Sequence, residues 1–232
     1  MARLAPLRVR RPVAGAVVVL LAGALVSACG GTPTPQAEPG TAGVAAAGDA
    51  KAGAATGTSY VLSAPAVAGG YPQGQPSAQL VQQVDGDLKQ TAQQLGVSGT
   101  PVHAYYDDRA DGAWIFYNGV TGAGFDPDHL HDLLDQPPAT KDDGAGDLLS
   151  TSAVDADPGS HGGRAVCNTV LVQNAMLSTA ATTCSWFTAT TAAGITVVIK
   201  GDGTNTKVGF TAADVAPIMR AIRADVEQSK SR

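Results

Sequence analysis

Aromatic residues are scarce in this chain: Trp, Tyr and Phe make up 5% of its 232 residues, so a core built from it has little apolar area per residue. Cationic side chains are also scarce beyond the start. Four of the 15 Lys and Arg (Arg3, Arg8, Arg10 and Arg11) precede Cys29, whereas all 20 Asp and Glu follow it. From Cys29 onward that leaves 11 basic against 20 acidic residues, a net charge of −9. A surface of that sign argues against nucleic acid and anionic lipid as partners, because both are bound through clustered Lys and Arg. The acids are almost all Asp (18 of 20) and sit in turn-like stretches, which reads as solvated surface. Several signatures of chemistry are missing too. There is no Gly-x-Ser-x-Gly elbow, no Ser-x-x-Lys, no His-Glu-x-x-His and no lysine-bearing phosphate loop. Neither a catalytic residue nor a cofactor is therefore assigned.

What is present begins at residue 1. A basic stretch (residues 1–12) precedes an apolar run from Val13 to Val26 and then Ser27-Ala28-Cys29. This is the order of a secretory signal peptide ending in a small-residue cleavage site. Leu25-Val26-Ser27-Ala28-Cys29 resembles the lipobox of bacterial lipoproteins. The resemblance implies that residues 1–28 are removed and that Cys29 carries diacylglyceryl through a thioether. The acyl chains, palmitate among them, would hold the chain on the outer face of the plasma membrane. Two or more chains are needed for a stable anchor, at about 0.8 kcal/mol per buried methylene. By length, a retained membrane helix is the rival reading, and Arg10-Arg11 leaves a twin-arginine export route open beside the general one. Residues 29–58 follow as a Gly-, Ala-, Pro- and Thr-rich tether with no apolar period, spanning about 30 Å as a flexible coil.

Residues 59–230 read as one extracytoplasmic domain. Tyr60-Val61-Leu62 is a strand signal. Ser77 caps a helix with Leu80, Val81, Val84, Leu88, Ala92 and Leu95 on one face, ended by Gly96. Val102–Asp107 and Ala113–Asn118 read as a hairpin. Asp126-Pro127 opens a short helix with Leu130, Leu133 and Leu134, and Pro137-Pro138 stops it. Residues 137–163, rich in Gly, Asp and Ser, read as a long mobile loop. Strand signals follow at Ala165–Val172, Thr183–Ala189 and Ile195–Lys200. A last helix has Val215, Ile218, Met219, Ile222 and Val226 on one face. Thr211 with Asp214 forms a capping box and Phe210 can staple to Val215, but Pro217 would then fall inside the helix, which favours a start at Asp214. The expected fold is α+β, a small antiparallel sheet against two longer helices and one short one. Trp114 and Trp186, each followed by a Gly-Phe step into a helix, suggest a diverged β–β–α duplication.

With Cys29 committed to lipid, Cys167 and Cys184 remain, and outside the membrane two thiols in flanking strands read as a disulfide near Trp186. Cys184-Ser185-Trp186, with Gly194-Ile195-Thr196-Val197 and the final Ala- and Arg-rich helix, resembles a group of actinomycete lipoproteins without assigned activity. That resemblance covers about residues 165–228 and implies an extracytoplasmic fold with no site to transfer.

The densest set of potential ligands is Asp126, Asp128, His129, His131, Asp132 and Asp135. Two His with carboxylates could hold zinc, but Asp126 and Asp128 also suit a helix N-terminus, and the cluster reads first as structural. Asp107–Gly112 lacks the third and twelfth ligands of a calcium loop and reads as a hairpin turn. His161-Gly162-Gly163 has no nucleophile elbow to serve, and Gly201-Asp202-Gly203 is a turn. The expected function is a membrane-anchored, non-enzymatic module that binds or senses a protein or envelope component. The alternatives are a cell-envelope hydrolase or transferase, marked by a pocket with paired acids or a perturbed His, and a carrier of a small apolar or lipid ligand, marked by an enclosed cavity.

Overall fold

The computed structural model describes residues 58–230. Its frame is a seven-stranded, wholly antiparallel sheet. The hairpin β4 (Thr100–Asp108) and β5 (Ala113–Thr121) lies at one side. A meander of β6 (Ala139–Asp142), β7 (Leu148–Asp155), β8 (Arg164–Gln173), β9 (Ser178–Phe187) and β10 (Thr191–Ile199) supplies the rest. β10 closes the set by pairing with β5, Ile195 opposite Tyr117.

Every strand has two ends, and they differ. At the near end are the 188–190 turn and the 156–163 loop. The described chain also enters there, as β1 (Tyr60–Leu62), whose Tyr60 N–H donates to Thr190 Oγ1 at 2.8 Å. At the far end lie the turns at 109–112, 143–147 and 174–177 and the 200–209 loop. The last strand, β11 (Glu227–Ser229), pairs with β1. The hairpin of β2 (Val67–Ala68) and β3 (Tyr71–Pro72) completes the strands.

Side-chain alternation divides the sheet into two faces. One carries Ile115, Tyr117, Cys167, Cys184, Trp186, Ile195 and Val197. It packs against α3 (Ala212–Val226), which buries Val215, Met219, Ile222 and Val226 there. The opposite face carries Val166, Phe187 and Ala192 under Leu130 of α2 (Pro127–Leu134). α1 (Ala78–Gln94) joins that second side: Leu95 and Val97 at its end pack on the same cluster, and Tyr105 Oη donates to Asp85 at 2.9 Å.

Local signals placed the helices well. Ser77 Oγ accepts from Leu80 N–H, Gly96 takes a left-handed φ of +65°, and the face named for α1 is its half-buried one. Asp126 accepts from the N–H groups of Asp128 and His129. α3 corrects the expected start at Asp214. Thr211 is the N-cap, and its N–H and hydroxyl both donate to the Asp214 carboxylate at 2.9 and 2.7 Å. Pro217 lies inside the helix on its exposed side. The Ala213 carbonyl that loses its partner is on an exposed residue and so can meet water.

The expected α+β fold with a small sheet is overturned: the molecule is mostly β. The error has one main source. Residues 137–163, read as a loop, hold β6 and β7, whose Leu148-Leu149-Ser150-Thr151-Ser152-Ala153-Val154 segment pairs residue for residue with β8. Both of its faces mix hydroxyl and apolar side chains (Leu148, Ser150, Ser152 and Val154 on one, Leu149, Thr151 and Ala153 on the other), so no period-2 contrast stands out between the Gly- and Asp-rich turns.

The duplication is overturned as well. Antiparallel repeats meeting at β5 and β10 would be related by an axis perpendicular to the sheet, which keeps each helix on one face. α2 and α3 occupy opposite faces, and Trp114 points away from the face that buries Trp186.

Candidate functional site

The chemistry of the near end gathers on Glu227, the first residue after α3. α3 places Arg223 one turn earlier, and both side chains are fully buried, at 1% and 2% exposure. Arg223 Nε donates to Glu227 Oε2 at 2.8 Å. Its Nη2 stands 2.8 Å from the same oxygen, close enough for an ion pair but outside hydrogen-bond geometry. Its Nη1 donates to the Pro158 carbonyl at 2.7 Å. Glu227 Oε1 accepts from Trp186 Nε1 at 3.2 Å and from the Thr191 hydroxyl. His161 Nδ1 lies 3.0 Å from Oε2, and its ring stacks on Tyr60 at 4.9 Å.

A buried ion pair repays its desolvation only when further hydrogen bonds fill the remaining positions, and here the carboxylate has partners on both oxygens. The guanidinium also sits 5.8 Å from the Trp186 ring. Beside it, Tyr117 stacks on Trp186 with ring centroids 6.1 Å apart. Burial, with Tyr106 and Glu227 adding to it, pushes the Tyr117 hydroxyl far above its ordinary value and keeps it neutral. The cluster ties β1, β9, β10, the 156–163 loop and α3 into one knot. Its acceptors are spent on holding the structure.

Sequence reasoning overlooked this knot. One signal existed: Arg223 falls on the stripe of Val215, Met219, Ile222 and Val226, where a charge needs a buried partner, and Glu227 follows at i+4.

The residues singled out in the sequence are only partly brought together. Cys167 and Cys184 lie opposite each other in β8 and β9 with Cα atoms 4.0 Å apart, and they form a disulfide buried beside Trp186. Cys29, residues 1–28 and the tether to residue 57 lie outside the described residues. Among the described residues no helix is long and apolar enough to cross a membrane.

The acidic and His cluster of α2 disperses. Asp126 is spent as the cap, His129 is exposed and His131 is buried. His131 Nε2 lies 2.5 Å from Asp155 Oδ1 and Nδ1 lies 3.4 Å from Arg164 Nη2, with Asp132 also 3.4 Å away. Both ring nitrogens of His131 therefore face polar partners within the protein. Arg164 extends the network to Asp128 at 3.4 Å. Among the described residues no group of three metal-capable side chains converges. In the turn at 108–112, Asp108 accepts from Ala110 and Asp111 N–H groups, as a hairpin turn requires.

Two clefts open elsewhere on the described surface, one of them beside α3. One of about 490 Å³ runs between the end of β7 and the start of α3, lined by Val154, Ala156, Cys167, Ala213, Ala216 and Arg220. The other, about 100 Å³, lies at the far end between Ala180, Val197, Ile199, Val208 and Phe210. Neither touches the Glu227 knot. The chain matches no protein-family model, no curated protein and no solved structure.

Proposed function

We propose that the chain is an exported lipoprotein, anchored through Cys29, whose domain binds a partner outside the plasma membrane without chemistry of its own. The anchor rests on the motif at residues 25–29. Export is supported by the buried Cys167–Cys184 disulfide, since such bonds persist in oxidising compartments.

The observation that carries the binding reading is the polarity of the sheet. The chain enters at the near end, where the polar side chains are locked into the Glu227 knot. Of the seven large apolar residues exposed among the described residues, four (Leu148, Met176, Leu177 and Val208) share the opposite end, while Val67, Leu133 and Val154 lie apart from them. An attachment preceding residue 58 therefore joins the domain away from that end. Apolar side chains left in water at one place mark an interaction site more often than chance scatter does.

A second reading, a carrier of a small apolar ligand, would have to use the cleft between β7 and α3, which is open and lined by Asp155, Asp157 and Arg220 as well as by Ala side chains. Saturable fluorescence of an apolar dye, lost on Ala216→Asp, would support it.

The anchor is tested by fractionating cells that express the full chain. Wild type should be recovered in the membrane fraction and take up labelled palmitate. Cys29→Ser should appear as unprocessed precursor or in the medium. A Cys29→Ser protein still processed and lipid-labelled would overturn the anchor.

A further inference from the structure

The geometry points to the far end of the sheet as a docking surface for an extended, basic and apolar protein segment. This deepens the binding reading and does not depend on the anchor.

The apolar part is continuous across three strands and a loop. Leu171 and Ala180 are cross-strand neighbours on the face that carries α3. Leu148, opposite Gln173 on that same face, is 41% exposed. Val208 lies beside them, held by the Thr179 hydroxyl donating to its carbonyl, and is 59% exposed. The β8–β9 turn crowns this row with Met176 at 95% and Leu177 at 50% exposure. The 100 Å³ cleft opens between Val208 and Ala180, with room for about one apolar side chain as an anchor.

The polar part has one sign. The β6–β7 turn brings Asp142, Asp143 and Asp147 to the edge of the patch. Asn174 Nδ2 donates to Asp147 at 2.8 Å and fixes the two turns side by side. The Asp142 and Asp143 carboxylates accept from backbone N–H groups of their own turn, Asp147 N–H among the donors, and among the described residues none of the three acids has a salt bridge. The cations nearby are engaged elsewhere: Lys200 with Asp107, and Lys207 with Asp111 and Asp214. Within residues 139–155 the sequence has one cation, Lys141, beside these three acids.

An apolar row edged by uncompensated carboxylates selects a partner that presents Lys or Arg beside apolar side chains. The same charge disfavours an anionic bilayer. It also disfavours a second copy of the chain, which would set carboxylate against carboxylate.

The test uses the isotopically labelled soluble chain from residue 30 onward and the peptide acetyl-Lys-Leu-Lys-Phe-Lys-Leu-amide. Its charge-reversed Glu analogue and anionic phosphatidylglycerol vesicles serve as rivals. The Lys peptide should shift the amide resonances of residues 142–148, 174–180 and 207–210, and the Glu peptide should not. Met176→Ser/Leu177→Ser, which removes the apolar contact without adding charge, should weaken binding at least tenfold with an unchanged melting temperature. Asp143→Asn/Asp147→Asn, which keeps the turn's acceptors, should weaken it several-fold and flatten its salt dependence. Equal binding of the Glu peptide, stronger binding to the vesicles, self-association through the tip, or indifference to the Met176 and Leu177 changes would each overturn the proposal. Shifts confined to another face would overturn this surface while leaving the domain a binder. Failure of the Cys29 fractionation would remove the anchor and leave the surface standing.

Discussion

The two ends of one sheet are built on opposite principles. At the near end a carboxylate, a guanidinium, an indole and a hydroxyl are buried and hydrogen-bonded around Glu227, and the described N- and C-terminal strands pair over them. At the far end apolar side chains stand in water, and Asp142, Asp143 and Asp147 beside them form no salt bridge among the described residues. Burying polar groups while exposing apolar ones reverses the usual economy of a fold. The near end accepts that inversion for connectivity, because five elements meet on Glu227. The far end gains nothing in stability from it, which is why we read it as a surface for use.

The sharpest way to break this contrast is at Glu227. Glu227→Ala strands the buried Arg223 charge and should cost about 3–5 kcal/mol in urea unfolding. A loss below about 1 kcal/mol would mean that the knot is ornamental. The disulfide comes next. Cys167→Ser/Cys184→Ser should cost about 2–5 kcal/mol, with no alkylatable thiol in the oxidised wild type.

Asp214, where α3 starts, should matter less and show a distinct pH signature. The Thr211 hydroxyl, Lys207 and the Thr211 N–H hold its carboxyl down at about 2, against 3.8 for an unperturbed Asp. A folded value below the unfolded one stabilises the fold above about pH 4, and that contribution is lost as pH falls towards 2. Asp214→Asn should cost about 1 kcal/mol at neutral pH and make the acid limb of stability shallower over that window. The smallest effect belongs to the far tip. Met176→Ser and Leu177→Ser should change stability by no more than about 0.5 kcal/mol, and a larger loss would show that the tip is structural.

Much of this molecule could be read from local signals, because caps and turns are local chemistry. Ser77, Gly96 and Asp126 bound their helices, and the α3 stripe faces the sheet. The disulfide was legible by compartment and by elimination. Two kinds of information were not local. β7 takes its identity from pairing with β8, since Ser150 and Ser152 carry little strand preference of their own. The Glu227 knot needs Trp186, Thr191 and His161 brought from 36 to 66 residues away. The α2 acids illustrate the converse: sequence neighbours that look like a ligand set separate once Asp126 caps the helix and His131 turns inward to Asp155.

Native-state hydrogen exchange tests the asymmetry of the two ends most directly, because it reads opening free energy amide by amide. The account predicts that hydrogen-bonded strand amides around residues 165–167 and 184–186 exchange only through global unfolding. Those around 148–151 and 170–173, in the same ladder but at the far end, should open locally, at a cost lower by on the order of 2 kcal/mol. Equal protection at both ends, or stronger protection at the far end, would contradict it.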